Sequence, residues 1–241
     1  MRATAELDVD GGGCAPRLRW RSSPPVVLRP TGPRQVHLVQ AAGGPLGGDE
    51  LALTVRLAAA GRLRLRSAGA TVVQAGPAPA RWSLAADVAC GAVLDWHPQP
   101  TVVCDGAELR SSTRLRLRPG AGAVLREEVV LGRAGQLGGR YRGELTVELD
   151  GDPVLAHDMV LDGADPVLTG PAGSGGARVV GTLLVVGEQL TGPPEGAGES
   201  PGLRWACGEL DGPGRLLIAL GDHADAVAGL LDRAAEEIAH R

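Results

Sequence analysis

The feature that most limits the fold is a two-residue rhythm of arginine and leucine. Arg17-Leu18-Arg19-Trp20-Arg21, Arg62-Leu63-Arg64-Leu65-Arg66 and Arg114-Leu115-Arg116-Leu117-Arg118 all follow it. Side chains alternate between the two faces of a strand, so each run builds one apolar face and one charged face. The same rule picks out residues 34–39, 51–57, 81–88, 92–97, 123–131, 140–149, 154–161, 178–186 and 215–220 as strands. Turn signals such as Pro119-Gly120, Asp150-Gly151 and Asp162-Gly163 separate them. Many short strands at such spacing imply an all-β sandwich, barrel or irregular solenoid. No fixed-length repeat is visible, which argues against a regular propeller or solenoid.

Aromatic residues make up only 2% of the chain and Phe is absent, so the core has to be built from Ala, Val and Leu. Small side chains favour closely spaced β layers. All 24 basic residues are Arg, which excludes Schiff-base and Walker-type lysine chemistry. The net charge of −4 argues against a dedicated nucleic-acid binder. No apolar run approaches the ~18 residues of a membrane span. The first ten residues carry acids and no apolar core, so no secretory signal is expected. Cys14, Cys90, Cys104 and Cys207 lie far apart with no CxxC, and the expectation is a cytoplasmic chain with free thiols.

Residues 1–186 are expected to form a β-rich core, 187–202 a Gly/Pro-rich loop, and 203–241 further strands and a helix packed on the core. A second loop is expected over 163–177. The helix is placed at 222–240, capped by Asp222, with an apolar stripe of Val227, Leu230, Leu231, Ala234 and Ile238.

Gly43-Gly44-Pro45-Leu46-Gly47-Gly48-Asp49 lies between two strands and holds far more glycine than a hairpin needs. Two glycines supply positive φ; the others suggest backbone passing close to something, with Asp49 delivered at the far end. In 123–131, Glu127 is the sole acid in the apolar row Leu125, Val129, Leu131, whereas Glu128 shares its face with Arg126. A buried carboxylate requires a cation, a donor or water, so Glu127 is either half of an internal salt bridge or a polar lining residue. Asp95 and His97 share a strand face and could ligate a metal, but no third ligand stands at a recognisable spacing. They equally suit a polar strand end. His37 and His157 read as hydrogen-bonded structural residues. The Arg faces suit either solvated strand surfaces or a polyanion site. There is no Gly-x-Ser-x-Gly elbow, no His-Glu-x-x-His and no linked Cys–His pair, so no catalytic residue is assigned.

The order of several segments carries a resemblance. His37-Leu38-Val39-Gln40 leads into the Gly-Gly-Asp stretch, followed by Leu94-Asp95-Trp96-His97-Pro98-Gln99-Pro100-Thr101, Glu128-Val129-Val130-Leu131-Gly132-Arg133 and Val180-Gly181-Thr182-Leu183-Leu184. This series resembles the UreD (UreH) family of urease accessory proteins, from about residue 30 to 186. The resemblance implies a mainly β fold of layered, irregular β-helical or sandwich-like sheets with a C-terminal helix. It implies a non-enzymatic chaperone that binds UreF and the GTPase UreG and helps deliver nickel to apo-urease, with Ni²⁺ only transiently present and no tightly bound cofactor. A water-filled passage is the proposed nickel route in such proteins. Asp49 and Glu127 are then the candidate path residues, and Gly43, Gly44, Gly47 and Gly48 form the motif that delivers Asp49. The family often has Leu where His97 stands, and often a Gly-Glu pair where Gly138-Gly139-Arg140 stands here.

Two other readings compete. One is a β-sandwich module that binds a glycan or other polyanion through the Arg faces. The other is a hydrolase with an acid/His site at Asp95 and His97.

Overall fold

The computed structural model describes residues 1–11 and 16–240; Cys14 lies outside the described residues. The chain opens with an antiparallel pair, β1 (Arg2–Asp10) and β2 (Arg17–Ser22), in a first sheet. It crosses to a second sheet as the hairpin β3 (Val26–Gly32) and β4 (Gln35–Gln40). It then winds between the two. β5 (Glu50–Leu57) lies in the first sheet, and β6 (Arg62–Ser67) and β7 (Thr71–Val73) in the second. The next turn places β8 (Ala80–Val88) in the first, and β9 (Val93–His97) and β10 (Thr101–Val103) in the second. β11 (Glu108–Leu117), β12 (Gly122–Leu131) and β13 (Arg140–Leu149) continue the alternation.

Strands of successive turns pair in parallel, as β1-β5-β8-β11-β13 in one layer and β4-β6-β9-β12 in the other. The molecule is therefore a layered, irregular β-helix, as the resemblance implies. Glu50, Arg81, Arg110 and Arg142 hold equivalent positions, so the coils return after 31, 29 and 32 residues. Unequal coil lengths explain why no fixed repeat shows in the sequence.

The remaining chain closes the stack with antiparallel strands. β14 (Asp152–Asp162) edges the first sheet and is followed by the short helix α1 (Pro166–Thr169). β15 (Val179–Val186), β16 (Leu190–Thr191), β17 (Gly196–Ser200), β18 (Leu203–Leu210) and β19 (Gly212–Gly221) follow. The second sheet extends as β12-β15-β19-β18-β17. Helix α2 (Ala224–Glu236) precedes β20 (Ala239–His240), which pairs with β16.

Alternation places leucines of both layers face to face. Leu7, Leu53, Leu84 and Leu115 of the first sheet and Leu28, Leu65, Leu94 and Leu125 of the second are all essentially inaccessible. Burying each contributes roughly 1.5–3 kcal/mol relative to exposure. Ala3, Ala5, Ala86 and Ala123 fill the gaps between them.

Helix α2 lies on the outer face of the second sheet, with Val227, Leu231 and Ala234 against Leu183, Val185 and Leu217. It seats over Gly181, where an added Cβ would meet Val227 Cγ1 at 2.5 Å and Leu231 Cδ1 at 2.8 Å.

Four expectations need correction. The helix is shorter than 222–240. Its N-cap is His223, with no side-chain capping bond. Asp222 instead donates its N–H to Gly202 O, so it still belongs to the strand end. The 187–202 stretch contains β16 and β17, because residues 196–200 pair with β18, and its glycines carry no alternation to reveal this. The 163–177 stretch contains α1, whose start was legible as Asp165-Pro166. Asp165 Oδ1 accepts from Val167 N at 2.8 Å. The expected strands also omit β1, although Ala3, Ala5, Leu7 and Val9 alternate with Arg2, Glu6, Asp8 and Asp10.

Candidate functional site

β12 runs through the middle of the second sheet, between β9 and β15, and its two faces meet different partners. Ala123 and Leu125 face the inter-sheet core; Val124 faces α2. Glu127 belongs to the inward row, level with Thr182 on β15. Its carboxylate reaches Ser111 of β11 at 3.5 Å. The Tyr141 hydroxyl of β13, buried and without a hydrogen bond of regular geometry, faces the same carboxylate. These groups line a narrow space between the sheets, with Leu51, Trp82 and Trp96 among its walls. The volume open to water centres is about 40 Å³. One water requires roughly 10–15 Å³ of such space, so the gap is large enough for water but not for a full hydration shell.

Glu127 is half-buried by its accessible surface, with its carboxyl deep between the sheets, and burial pushes its pKa up to about 7, against the lowering effect of Tyr141 and Ser111. The same burial raises the Tyr141 phenol well above its ordinary value, with the Glu127 charge adding to it. Glu127 is thus a polar lining residue. The salt bridge expected as its alternative forms one residue further on. Glu128 is buried and accepts from Arg126 Nε at 2.8 Å. Arg126 also pairs with Asp232 of α2 and donates to Ala228 O at 3.4 Å, tying the helix to the sheet. Burial raises Glu128, and Arg126 opposes that rise.

The glycine-rich segment is a close crossing. Gly44 and Gly48 take positive φ of 129° and 91°. Gly47 runs against Gly76, where an added Cβ would sit 2.6 Å from Gly76 and from Ala78 O. Gly47 N donates to Gln74 O at 3.0 Å, and Gln74 N to Pro45 O at 2.9 Å. Gly43 has neither a positive φ nor a neighbour within 4 Å of an added Cβ. Asp49 is buried at the end of this turn. Its Oδ2 accepts from Leu46 N at 2.9 Å, and its Oδ1 from the Met1 amino group at 2.5 Å. Burial alone would raise its pKa; these two bonds and the ammonium charge hold it below the ordinary carboxylate value. Pro45 and Leu51, on either side of Asp49, line the Glu127 space.

Asp95 and His97 point the other way, to the outer side of the second sheet. Asp95 is gripped by Arg66 at 2.7 and 3.1 Å. His97 Nε2 lies 3.2 Å from Asp95 Oδ1 but off hydrogen-bond geometry. Burial, reinforced by Arg66 and Arg126 against Asp95, holds His97 down at about 4. Among the described residues no three His, Cys, Asp or Glu side chains gather as a metal site. His37 bonds Thr31 Oγ1 at 2.8 Å, as a structural histidine should. His157 departs from that expectation: its Nε2 is buried without a partner.

An acid does stand beside Gly138. Asp105 Oδ1 accepts from Gly138 N at 2.6 Å. Gly139 is pressed against Ala107 O and Cys104 O, leaving no room for a Cβ. Sequence reasoning missed Ser111 and Tyr141. The signal was present, since Ser111 and Thr113 interrupt the apolar row of Leu109, Leu115 and Leu117, and Tyr141 is the only tyrosine. Among the described residues no helix is long and apolar enough to cross a membrane.

A family model described as the UreD urease accessory protein matches residues 1–241. The chain is 39% identical over 266 residues to the urease accessory protein UreD of Frankia alni, covering 93% of this chain and 89% of that protein. It is 38% identical over 248 residues to the UreD of Streptomyces avermitilis, covering 97% and 96%. With UreD 2 of Saccharopolyspora erythraea it shares 35% identity over 210 residues, covering 83% and 73%.

Proposed function

This chain belongs to the UreD family of urease accessory proteins, and on that premise we propose that it acts in urease maturation as a scaffold for nickel transfer. In this reading it binds a UreF-like helical protein, a UreG-like GTPase and apo-urease in the cytoplasm. It works as a chaperone within that complex and catalyses no reaction of its own. Ni²⁺ is cargo, held briefly in the space beside Glu127.

One observation carries the reading. Glu127, a carboxylate with no cation beside it, meets the hydroxyls of Ser111 and Tyr141 in a narrow, partly polar gap between the two layers. Isolated oxygens suit a divalent cation that must leave again; a thiolate or imidazole cage would retain it. The gap holds fewer waters than the six of an octahedral shell. Transit therefore strips part of the shell and replaces it with oxygens of Glu127, Ser111 and Tyr141. Asp49 acts at the neighbouring turn. Its carboxylate fixes the backbone that brings Pro45 and Leu51 to the gap, and it becomes a further oxygen for the ion once its present bonds open.

The test is co-expression with urease and its other accessory genes under limiting nickel, followed by metal analysis of purified urease. Asp49→Ala and Glu127→Gln should each lower nickel per active site while the accessory complex still assembles. Full nickel loading with both variants would remove these residues from the path. Fully metallated urease in a host lacking this gene would refute the maturation role itself.

A further inference from the structure

We propose that the outer face of the first sheet is a docking trough for an extended acidic segment of a partner protein, recognised by Arg81, Arg110 and Arg142. These arginines stand directly opposite one another on β8, β11 and β13. Neighbouring strands are about 4.8 Å apart, so three guanidinium stems stack over roughly 10 Å along the coil axis. Like charges placed opposite across strands are destabilising.

The rest of this face avoids that arrangement. Asp8 meets Arg56 at 3.3 Å, Arg116 meets Glu148 at 3.4 Å, and Arg19 pairs with Asp10. In the arginine row Glu50 stands in line but is bound to Arg2, and the other carboxylates lie off to the side. Arg110 uses Glu108 of its own strand at 3.0 Å, and Arg142 reaches Glu144 at 3.3 Å and Asp158 at 3.8 Å. Arg81 has no carboxylate partner among the described residues.

The adjoining row supplies the space. Ala52, Ser83 and Ser112 are in register one pleat along, and Ser83 and Ser112 are exposed. Their small side chains leave a trough of about 550 Å³ beneath the arginines, with Ser83 and Ser112 hydroxyls on its floor. The length of the basic row selects the occupant. Glu50 stands opposite Arg81 and ends the row on one side, Glu144 lies opposite Ser112 in the adjoining row, and Asp87 and Glu148 lie further along the strands. A long polyanion such as a glycosaminoglycan or nucleic acid would run into these acids. A peptide with two or three carboxylates in extended form would not. The Arg110 and Ser112 side chains face away from Ser111 and the Glu127 space, because neighbours on a strand point to opposite sides.

The experiment is fluorescence anisotropy of the full chain with a fluorescein-labelled peptide of alternating Glu and Gly, at low and high salt. Binding should weaken with salt and fall roughly tenfold in the Arg81→Gln/Arg110→Gln double variant. Arg114→Gln/Arg116→Gln removes the same charge from the same face, further along β11, and should leave binding unchanged. All four positions are exposed, so thermal unfolding should stay at the wild-type midpoint. Equal weakening by both double variants, or no binding at all, would overturn the proposal. So would a heparin oligosaccharide that binds more tightly than the peptide through Arg81 and Arg110.

Discussion

Replacing Glu127 with glutamine keeps the shape of the side chain and removes its charge, and the energetic consequence follows from its burial. The carboxyl titrates at about 7 in the folded chain against 4.5 when unperturbed. A raised pKa means that the folded state holds the proton more tightly. The stabilising contribution is complete below the unfolded pKa and is lost as pH rises through the folded one. Between pH 5 and pH 8 this amounts to about 2.5 kcal/mol for a single group with these two pKa values. Glutamine does not titrate, so the variant escapes that loss. It should gain about 2.5 kcal/mol on wild type between pH 5 and pH 8, or roughly 5–10 °C in midpoint for a chain of this length. The assay is thermal unfolding of both proteins at a series of pH values, followed by tryptophan fluorescence. The difference between the two curves is the quantity to read, because the wild-type curve alone hides it. His97 titrates at about 4 against 6.5, so its contribution is lost as pH falls and largely offsets that of Glu127. Parallel curves for Glu127→Gln and wild type would refute the buried-carboxylate reasoning.

His97→Leu should show the opposite sign, gaining on wild type as pH falls from 6.5 towards 4, in the same unfolding experiment. Leu231→Asp places a charge in the fully buried seam between α2 and β15, and should cost at least about 3 kcal/mol. Soluble yield and pull-down of the helical partner measure it, and unchanged values of both would mean that the helix seam is not needed. Gly47→Ala should lower the unfolding midpoint, with a cost of about 1–3 kcal/mol from the backbone crossing at Gly76. Gly43→Ala, with open space around it, should be neutral and serves as the control.

The two layers were legible because alternation is a local property. In 62–66, 81–88, 114–118 and 140–149 the apolar residues could bury themselves only by facing another sheet. The aliphatic, Phe-free composition set the close spacing of the layers. Gly47 was legible as a close approach, although its neighbour Gly76 was not. The winding of the chain was hidden, since coils of 31, 29 and 32 residues leave no fixed period. β17 was hidden as well, because Gly196 and Gly198 have no side chains to alternate.

Sequence alone therefore determined which residues of each strand turn inward, including the oddity of Glu127 in an apolar row, because strand geometry fixes the side of every second residue. It could not determine what those residues meet. Ser111, Tyr141 and Thr182 come to Glu127 from three other strands, and Asp232 comes to Arg126 from a helix more than a hundred residues away. The pairing of Glu128 with Arg126 two residues away was local, but only the stacking of the coils decided that Glu127 would face a water-sized space without a cation. The reason is that pKa and pairing depend on distance through space, and that distance is set by the register between strands rather than by position along the chain.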